Sequence, residues 1–354
     1  MFINPLKPRI IKPNCIFPLT KCFASLCSNT SIANIDFPDE DTKMLKVSII
    51  GVPNSGKSTF INQLMDRKVC PTSSKVHTTK TKSMAIFTQG DSQIVFLDTP
   101  GLVNANEKKK FNLTSSFIKD SRFALQKADI IGVVHDAANI HTREKLDIKI
   151  INLLEGHKKT PSFLVLNKID VLKSKRKLLD ITRLLTDNCL AGKPIPGHSN
   201  KPKDPNHEFK GWPYFQDIFM VSALTGDGLD QVRNYLTTKA KPAKWMFPEN
   251  VWTDQSAEEV IQNSVRAKLL DFLPQEIPYI LQTEIEFFDV NEEGVINAVV
   301  IVKTPSSRIS TLVAGGGGGR LKQILQSVKE DLQNAFQNYV KINIVLEPPA
   351  NTIN

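Results

Sequence analysis

The eight residues 51–58 constrain this chain more than any other stretch, because they match the phosphate-binding loop pattern G-x-x-x-x-G-K-[ST]. The apolar run 45–50 before them predicts a buried strand, and the apolar spacing in 59–65 predicts a helix. Strand, glycine loop and helix in this order predict a site for a nucleotide phosphate. In order, the residues are Gly51, Val52, Pro53, Asn54, Ser55, Gly56, Lys57, Ser58 and the following Thr59.

Each part of this loop has a chemical task in such a site. Gly51 and Gly56 let the backbone turn tightly and bring its N–H groups close to the phosphates. Lys57 can reach the β- and γ-phosphate oxygens, and the Ser58 hydroxyl can ligate Mg²⁺. The N-terminus of the following helix points its positive end at the same anion. Lys57 is therefore predicted to be catalytic and Ser58 to be a metal ligand.

The composition bounds the number of domains and the cofactor classes. A chain of 354 residues with 41% hydrophobic residues predicts two domains rather than one. The net charge of +9 favours a polyanionic partner. The five Cys form no C-x-x-C pair and the six His are scattered, so we expect a reducing compartment and no structural zinc. No apolar run reaches the ~18 residues that a membrane helix needs.

Residues 1–40 are predicted to be a leader outside the folded domains. Its first 35 residues include Lys and Arg but no carboxylate, and they also contain Ser, Thr, Phe and Leu. This composition is typical of a mitochondrial transit peptide. A disordered basic tail is the alternative, because several prolines argue against a regular amphipathic helix.

Residues 41–240 alternate strand and helix patterns, which predicts an α/β fold with a mostly parallel sheet and helices on both faces. An additional edge strand is predicted at 82–88. The predicted buried strands are 45–50, 94–98, 130–134, 163–166 and 218–221. The predicted helices are 57–66, 115–127, 143–155, 176–187 and 227–238.

Asp98, Thr99, Pro100 and Gly101 form a D-x-x-G motif that ends an apolar run. A carboxylate at the end of a buried strand, beside a phosphate loop, can hold the coordination shell of Mg²⁺. The Gly101 backbone N–H can be offered to the γ-phosphate. An ordinary Asp-Pro-Gly turn is the alternative, and the upstream phosphate loop argues against it.

Asn167, Lys168 and Asp170 end another apolar run, 163–166. The Asp170 carboxylate can accept from two guanine donors that adenine lacks, so this residue predicts selection of guanine. The Lys168 stem can lie over the base plane, and Asn167 is expected to tie the nucleotide pocket to the phosphate loop. Downstream, Ser222-Ala223-Leu224 follows a strand pattern, and the Ala223 N–H is expected to meet the guanine oxygen.

These four motifs, in this order, resemble the GTPase domain of the translation-factor-related class. The resemblance implies a first switch at 77–81, where Thr79 rather than Thr78 is expected to bind Mg²⁺ in the presence of GTP. Leu102 stands where Ras-like enzymes have a Gln that orients the attacking water. The resemblance implies that Asn54 instead helps to hold K⁺ and that intrinsic turnover is slow; a plain turn residue at Asn54 is the alternative.

The predicted nucleotide site therefore combines GTP or GDP with Mg²⁺ and, through Asn54, K⁺. The residues predicted to act in catalysis are Asn54, Lys57, Thr79 and Gly101, and the predicted metal ligands are Ser58, Thr79 and Asp98.

One further segment separates the two guanine motifs, and another follows the first predicted domain. Residues 189–211, rich in Pro, Gly and Lys, are predicted to be a flexible surface insertion. Residues 241–255 are predicted to be a linker. Lysine clusters at 108–110 and 173–177 could meet RNA phosphate, and a solvated face is the alternative.

Residues 256–350 have a different predicted order of helices and strands. The predicted order is helix 256–272, strands 280–288 and 295–303, helices 307–313 and 320–336, and strand 341–346. This α-β-β-α-α-β order, with glycines between the paired helices, resembles a type II KH domain, whose G-x-x-G loop clamps single-stranded RNA backbone. The resemblance implies RNA binding by Arg308, Gly315, Gly316, Gly317, Gly318, Arg320 and Lys322; a flexible glycine joint is the alternative.

The charge of this second part is unusual for an RNA-binding domain. Residues 245–354 hold 8 Lys and Arg and 14 Asp and Glu, a net charge of −6. Gly316 also stands where the family has a Lys. The stretch 303–329, however, contains five basic residues and no carboxylate, which predicts a local basic rim around the glycine loop.

A GTPase domain followed by a type II KH domain resembles the Era-like GTPases, and the basic leader resembles their mitochondrial members. The resemblance runs over about residues 44–346 and implies a monomer in the mitochondrial matrix, with peripheral inner-membrane association. It implies binding to the single-stranded 3′ end region of small-subunit ribosomal RNA and assistance in assembling the small ribosomal subunit. Two rivals stay open: an RNA-binding scaffold that binds GTP without turnover, and a GTPase whose glycine loop docks protein.

Overall fold

A computed structural model describes residues 41–73, 83–98, 124–172, 174, 176–195, 211–274 and 276–349. The predicted leader, the first-switch residue Thr79, the segment from Thr99 to Gly101 and Leu102 lie outside these residues. Among the described residues, no helix is both long enough and apolar enough to cross a membrane.

The first half of the chain forms a sheet with the strand order β2-β3-β1-β4-β5-β8. Along this order neighbouring strands are parallel except for β2, an antiparallel edge strand at the position predicted for 82–88, and outside the order β9 pairs antiparallel with β1. The predicted parallel sheet is thus confirmed. The strands are β1 (Lys43–Ile50), β2 (Ser83–Gln89), β3 (Ser92–Asp98), β4 (Ile130–Asp136), β5 (Ser162–Asn167), β6 (Cys189–Leu190), β7 (Lys193–Pro194), β8 (Phe215–Met220) and β9 (Lys241–Pro242).

Helices cover both faces of this sheet, as predicted. The core on one face joins the sheet to α1 and α4, and the core on the other face joins it to α2 and α3. Strands β3, β4 and β5 are buried on both faces along nearly their whole length, and their sequences are mainly apolar. The helices are α1 (Lys57–Met65), α2 (Ile148–Gly156), α3 (Arg176–Leu185) and α4 (Leu229–Lys239).

One predicted helix starts later than expected, and another lies partly outside the residues that the structure describes. The helix predicted over 143–155 begins only at Ile148, because the Asp147 side chain caps it by accepting from the Lys149 N–H. Of the helix predicted over 115–127, residues 124–127 are helical and the rest lies outside the described residues.

The predicted flexible insertion 189–211 begins as ordered structure. Strands β6 and β7 form a two-stranded hairpin, and Gly192 in its turn lies against the ring of Tyr214. The Lys158 ammonium lies 4.4 Å from the centre of the same ring. The prediction of flexibility is therefore wrong for 189–195, because a flanking aromatic side chain packs on the hairpin.

The predicted linker 241–255 is packed along the first sheet rather than extended into solvent. Strand β9 pairs with β1, and the Ile86 N–H donates to the Trp252 carbonyl over 2.9 Å. The buried Gln93 side chain accepts from the N–H groups of Met246 and Phe247 and donates to the Phe247 carbonyl. These contacts cover the β2–β3 edge, and a sequence pattern gives no sign of them.

The second half of the chain forms a three-stranded sheet with the order β10-β11-β12. Strands β10 and β11 are antiparallel and β11 and β12 are parallel. The predicted α-β-β-α-α-β order is confirmed, with one short extra helix, α6, that four residues are too few to predict. The elements are α5 (Ala257–Phe272), α6 (Ile277–Ile280), β10 (Gln282–Val290), β11 (Ile296–Lys303), α7 (Ser307–Ala314), α8 (Gly319–Phe336) and β12 (Val340–Glu347).

The residues after α1, 67–73, connect the two halves. The Lys68 N–H donates to the Asn334 side chain on α8 over 2.7 Å, and the Ser73 hydroxyl donates to Asp271 on α5 over 2.8 Å. The first half thus touches both helices of the second through the segment that leads towards the predicted first switch.

Helix α1 holds this segment in place through one of its side chains. The Asn62 side chain brackets Cys70, donating to its carbonyl over 2.8 Å and accepting from its N–H over 2.7 Å. The Trp252 ring packs edge-on against Phe336 of α8, with ring centres 5.8 Å apart, and the Arg67 guanidinium lies over the Trp252 ring. The residues that follow α1 are therefore held both by α1 itself, through Asn62, and by contacts that reach α8 in the second half of the chain.

Candidate functional site

The phosphate loop has the backbone that its glycines predict. Gly56 lies at φ 94°, where a side chain is strained, and a Cβ there would lie 2.3 Å from the Asn167 amide nitrogen. A Cβ on Gly51 would lie 2.4 Å from the Val134 carbonyl oxygen. Both positions thus exclude any larger residue, and the loop closes onto strands β4 and β5.

Lys57 is the buried charge of the loop, with 8% of its surface exposed. Its Nζ donates to the carbonyls of Gly51 and Val52 over 3.1 and 3.0 Å. Burial lowers the pKa of Lys57 to about 8, against the attraction of the Asp98 carboxylate. A buried ammonium at a helix N-terminus fits an anionic ligand, because the anion's negative charge replaces the favourable solvation that burial has removed.

Asp98, predicted as a metal ligand, is fully buried at the end of β3. It lies close to Cys70, whose thiol pKa is raised well above its usual value by burial and then by the Asp98 carboxylate. Ser58, the other described ligand, lies in the first turn of α1. These residues supply carboxylate and hydroxyl oxygens, which are ligands that Mg²⁺ accepts.

Asn167 joins the phosphate loop to the two guanine motifs. Its amide nitrogen donates to the Ser55 carbonyl over 2.9 Å. Its oxygen accepts from the Lys168 N–H over 2.8 Å and from the Ala223 N–H over 2.9 Å. The expected link between Asn167 and the phosphate loop is therefore present. The Ala223 N–H, expected to meet the guanine oxygen, donates to Asn167 in this structure.

The Asp170 carboxylate is held in place by Ser222, whose hydroxyl donates to it over 2.6 Å. The Ser222 oxygen in turn accepts from the Thr225 N–H over 3.2 Å. The adjacent Leu224 side chain, also predicted in this site, is exposed. A carboxylate that is already held in place needs less ordering when it binds a base, which lowers the entropic cost of binding.

Lys168 adopts the left-handed conformation, with φ 65° and ψ 37°. For a residue with a Cβ this conformation costs about 1–2 kcal/mol, so other contacts must hold it. Its Nζ donates to the Asn54 carbonyl over 2.8 Å and pairs with Asp136 over 2.6 Å. Asn54 is itself left-handed at φ 62°.

Sequence reasoning missed Asp136, Asn62 and Cys70. Asp136 had a usable signal: it ends the apolar run of β4, and the carboxyl ends of neighbouring parallel strands meet at one edge of the sheet. Asn62 and Cys70 had none, because their contact depends on how the chain folds back after α1.

The glycine stretch of the second half forms a tight loop between α7 and α8. Gly315, Gly317 and Gly318 have φ of 73°, 58° and 74°, and a Cβ on Gly315 would lie 2.7 Å from the Cβ of Arg320. Gly316 differs, because its φ is not positive and an added Cβ would meet open space. The loop thus requires glycine at three of its positions, and Gly316 is free to vary.

The predicted basic residues divide into two kinds. Arg308 and Lys322 are exposed, on α7 and in the first turns of α8. The Arg320 guanidinium instead donates to the Leu312 carbonyl over 2.5 Å and ties the two helices together. Lys303 is paired with Glu284.

A groove of about 520 Å³ lies beside α8 and strand β12. Lysines from both elements line it together with apolar side chains and amides, and sequence reasoning had not predicted it. Its lining includes Phe287, Lys322, Leu325, Lys329, Lys341 and Asn343. In such a groove, lysines can contact the phosphates of a single-stranded nucleic acid and apolar side chains can contact its bases.

Comparison with known proteins assigns the family. A family model described as "50S ribosome-binding GTPase" matches residues 46–168. The chain is 37% identical over 336 residues to the mitochondrial GTPase Era of Danio rerio, covering 86% of this chain and 75% of that protein. The chain belongs to the Era family of GTPases. Its nucleotide site is therefore a guanine nucleotide site, and GTP hydrolysis is the reaction of the family.

Other Era proteins agree with this assignment. The mitochondrial GTPase Era of Salmo salar is 33% identical and matches 86% of this chain and 76% of its own. The crystal structure of Era in complex with MgGDPNP and nucleotides 1506–1542 of 16S ribosomal RNA has a TM-score of 0.68 at 23% identity, covering 87% of this chain and 95% of that chain. At this identity, the structural likeness shows the fold, including the second, KH-like half.

Lys57→Met should stabilise the nucleotide-free protein and abolish nucleotide binding. The folded pKa of about 8 lies below the unfolded value of 10.5, so the unfolded state holds more protons between them and stability rises with pH in that window. Below pH 8 the buried charge costs up to roughly 3 kcal/mol. Urea unfolding at pH 7 should show a gain of about 1–3 kcal/mol, and stability no longer rising between pH 8 and 10.

Lys177→Met, an exposed change on α3, is the matched control and should alter neither property. A Lys57→Met protein less stable than wild type at pH 7 would show that the ammonium is favourable where it lies.

Proposed function

We propose that this chain binds GTP with Mg²⁺, hydrolyses it slowly and uses its second half to bind small-subunit ribosomal RNA during assembly of the mitochondrial small ribosomal subunit. The observation that carries the nucleotide part is the Asn167 side chain, which joins the phosphate loop, Lys168 and Ala223 in one buried hydrogen-bonded cluster. The relatives named mitochondrial GTPase Era support the compartment.

We further propose that the chain divides as its sequence predicts, into a GTPase domain at 41–240, a linker at 241–255 and a type II KH domain at 256–350. Each of the two domain ranges contains its own sheet and its own buried core, which supports the division. The leader, a location in the matrix, a monomeric state and peripheral inner-membrane association stay predictions.

In this proposal the residues of the first domain divide the work on GTP. Backbone N–H groups of the loop 51–59, other than at Pro53, which has none, and the Lys57 ammonium bind the phosphates, and Asp170 with Lys168 binds the base. Ser58, Asp98 and Thr79 are the residues that would hold Mg²⁺, which would supply positive charge to the phosphates. Thr99, Pro100 and Gly101 follow Asp98 directly and would place a backbone N–H at the γ-phosphate.

Asn54 is proposed to favour K⁺ at the same site. It lies exposed in the loop with a left-handed backbone, and its carbonyl accepts from Lys168. A monovalent cation beside the phosphates would supply the charge that an arginine supplies in other GTPases, which matters because Leu102 cannot orient water.

For the second domain, RNA is proposed as the ligand because Lys322, which closely follows the glycine loop, lines one groove with two further lysines. Lys322 lies in the first turns of α8, which contain no acidic residue, and Lys329 and Lys341 line the adjacent groove. The domain as a whole is acidic, so its field would direct a polyanion to this one place. An Era crystal structure that contains a 16S ribosomal RNA fragment shares the fold.

The two activities are proposed to be coupled through segment 67–73. This segment starts at α1, contacts α5 and α8 through Ser73 and Lys68, and leads into the first switch. When GTP orders Thr79 and Gly101, the chain between α1 and β2 would be pulled towards the phosphates. The KH domain would then change its position, and hydrolysis would release it.

Asp170→Ala should remove the preference for guanine. The substitution deletes the acceptor for two guanine donors, so we expect GDP affinity to fall about 100-fold and guanine and adenine nucleotides to bind alike. Competition binding with GDP and ADP measures this, and Asp180→Ala on the exposed side of α3 is the control.

Phosphate release by the wild-type protein should be slow, and it should be faster in K⁺ than in Na⁺. No release with either cation would favour the rival, an RNA-binding scaffold that binds GTP without turnover.

Gly316→Lys should increase RNA affinity about 3–10-fold without loss of stability. The position is open and its backbone is not strained, so a lysine there adds one phosphate contact and makes the salt dependence steeper by about one charge. Binding is measured with a single-stranded RNA from the 3′ end of small-subunit ribosomal RNA. Gly156→Lys, also in open space, adds the same charge at the end of α2. Equal effects of both lysines would favour the rival in which the glycine loop docks protein.

Asn334→Ala should weaken the coupling between nucleotide and RNA. It removes the acceptor of the Lys68 N–H, so the ratio of RNA affinities measured with a GTP analogue and with GDP should move towards one. Gln333→Ala on the same helix is the control. If wild-type protein binds RNA equally with both nucleotides, the coupling does not exist.

A further inference from the structure

Asp136 has a place in the site that none of the nucleotide motifs explains. It is the last residue of β4 and lies opposite Asn167 in the register of β4 and β5. The Ala137 N–H donates to the Asn167 carbonyl over 3.0 Å, so the backbone on both sides of the Asp136 side chain is fixed. The Asp136 side chain is 14% exposed.

The two oxygens of this carboxylate have different partners. Oδ1 accepts from the N–H groups of Ala138 and Asn139 over 2.9 and 3.2 Å and closes the turn after β4. Oδ2 accepts from the Lys168 ammonium over 2.6 Å. The turn therefore accounts for one oxygen, and the other is directed at the lysine expected to lie over the guanine base.

The Lys168 ammonium is thereby held at two points. It donates to Asp136 on one side and to the Asn54 carbonyl of the phosphate loop on the other. A lysine stem has four rotatable bonds, and fixing its end removes most of the freedom that base binding would otherwise have to remove. The same ammonium also ties the loop that carries Asn54 to β4.

The negative charge of Asp136 needs the Lys168 ammonium as its counter-charge when a nucleotide is bound. A carboxylate close to a bound nucleotide would repel its phosphates unless a cation neutralises it. Lys168 supplies that cation, and the pair is neutral as a unit. Loss of the lysine alone should therefore be worse than loss of both partners.

We propose that Asp136 is a positioning residue for the guanine nucleotide, which sets the Lys168 stem against the base and the Asn54 carbonyl against the ammonium before the ligand arrives. The proposal rests on the nucleotide site described above and adds a residue outside its four motifs. It concerns how long the nucleotide stays bound, whereas the choice of guanine over adenine belongs to Asp170.

Asp136→Asn separates the two roles of the side chain. Asparagine keeps an oxygen for Ala138 and Asn139, so the turn survives, but it places an amide N–H towards the Lys168 ammonium. Release of fluorescent mant-GDP from the full-length protein should become roughly tenfold faster, equivalent to about 1.4 kcal/mol. The preference for GDP over ADP and the unfolding midpoint of the nucleotide-free protein should not change.

Asp147→Asn is the matched control, because Asp147 caps α2 in the same connection and accepts from the Lys149 N–H. It should leave mant-GDP release unchanged. The decisive measurement is a double-mutant cycle: Lys168→Ala should speed release, and adding Asp136→Asn to it should cause no further loss.

Unchanged release in Asp136→Asn, or additive effects in the cycle, would overturn the proposal and leave Asp136 as a turn residue. Failure of the wild-type protein to bind mant-GDP would instead overturn the nucleotide site itself. A slower release from the double variant than from Lys168→Ala alone would support the proposal, because it shows that the unpaired carboxylate repels the nucleotide.

Discussion

The nucleotide site depends on one buried amide. Asn167 is 2% exposed, and its side chain makes three hydrogen bonds, to Ser55, Lys168 and Ala223, which come from three separate connections of the sheet. Each such bond contributes on the order of 1 kcal/mol, and a buried polar group left unpaired costs about 1–3 kcal/mol. The three loops are therefore fixed relative to one another before any nucleotide binds, which lowers the entropic cost of forming the complex.

Around this amide, the site contains energetically unfavourable features, of which an anionic ligand would relieve the buried charge of Lys57. Lys57 is buried beside carbonyl oxygens with its pKa lowered to about 8, and Lys168 and Asn54 both have left-handed backbones. Such features persist only where the surrounding structure forces them, and they are typical of binding sites. The buried strands β1, β3, β4 and β5 supply that rigidity, since their cores on both faces hold the loops at one edge.

The second half of the chain places its charges differently from the first. Its net charge is negative, but the first turn of α8 contains no acidic residue. Three lysines line the groove beside this helix. The contacts of segment 67–73 with α5 and α8 connect this half to the helix that begins at the phosphate loop. Segment 67–73 thus gives a short covalent and hydrogen-bonded connection from the end of α1 to α5 and α8.

The sequence by itself determined the family, the parallel sheet and the motifs, because Gly56, Lys57, Asn167 and Asp170 need particular chemistry at particular spacings. Apart from the contact of Asn167 with the phosphate loop, which its motif predicts, only the tertiary structure decided what those residues touch. The Asp136–Lys168 pair, the bracket of Asn62 around Cys70 and the packing of 241–255 on the first sheet join residues far apart in the chain. Local patterns report which face of an element is buried, whereas such partners are fixed only when the strands have been ordered and the helices packed.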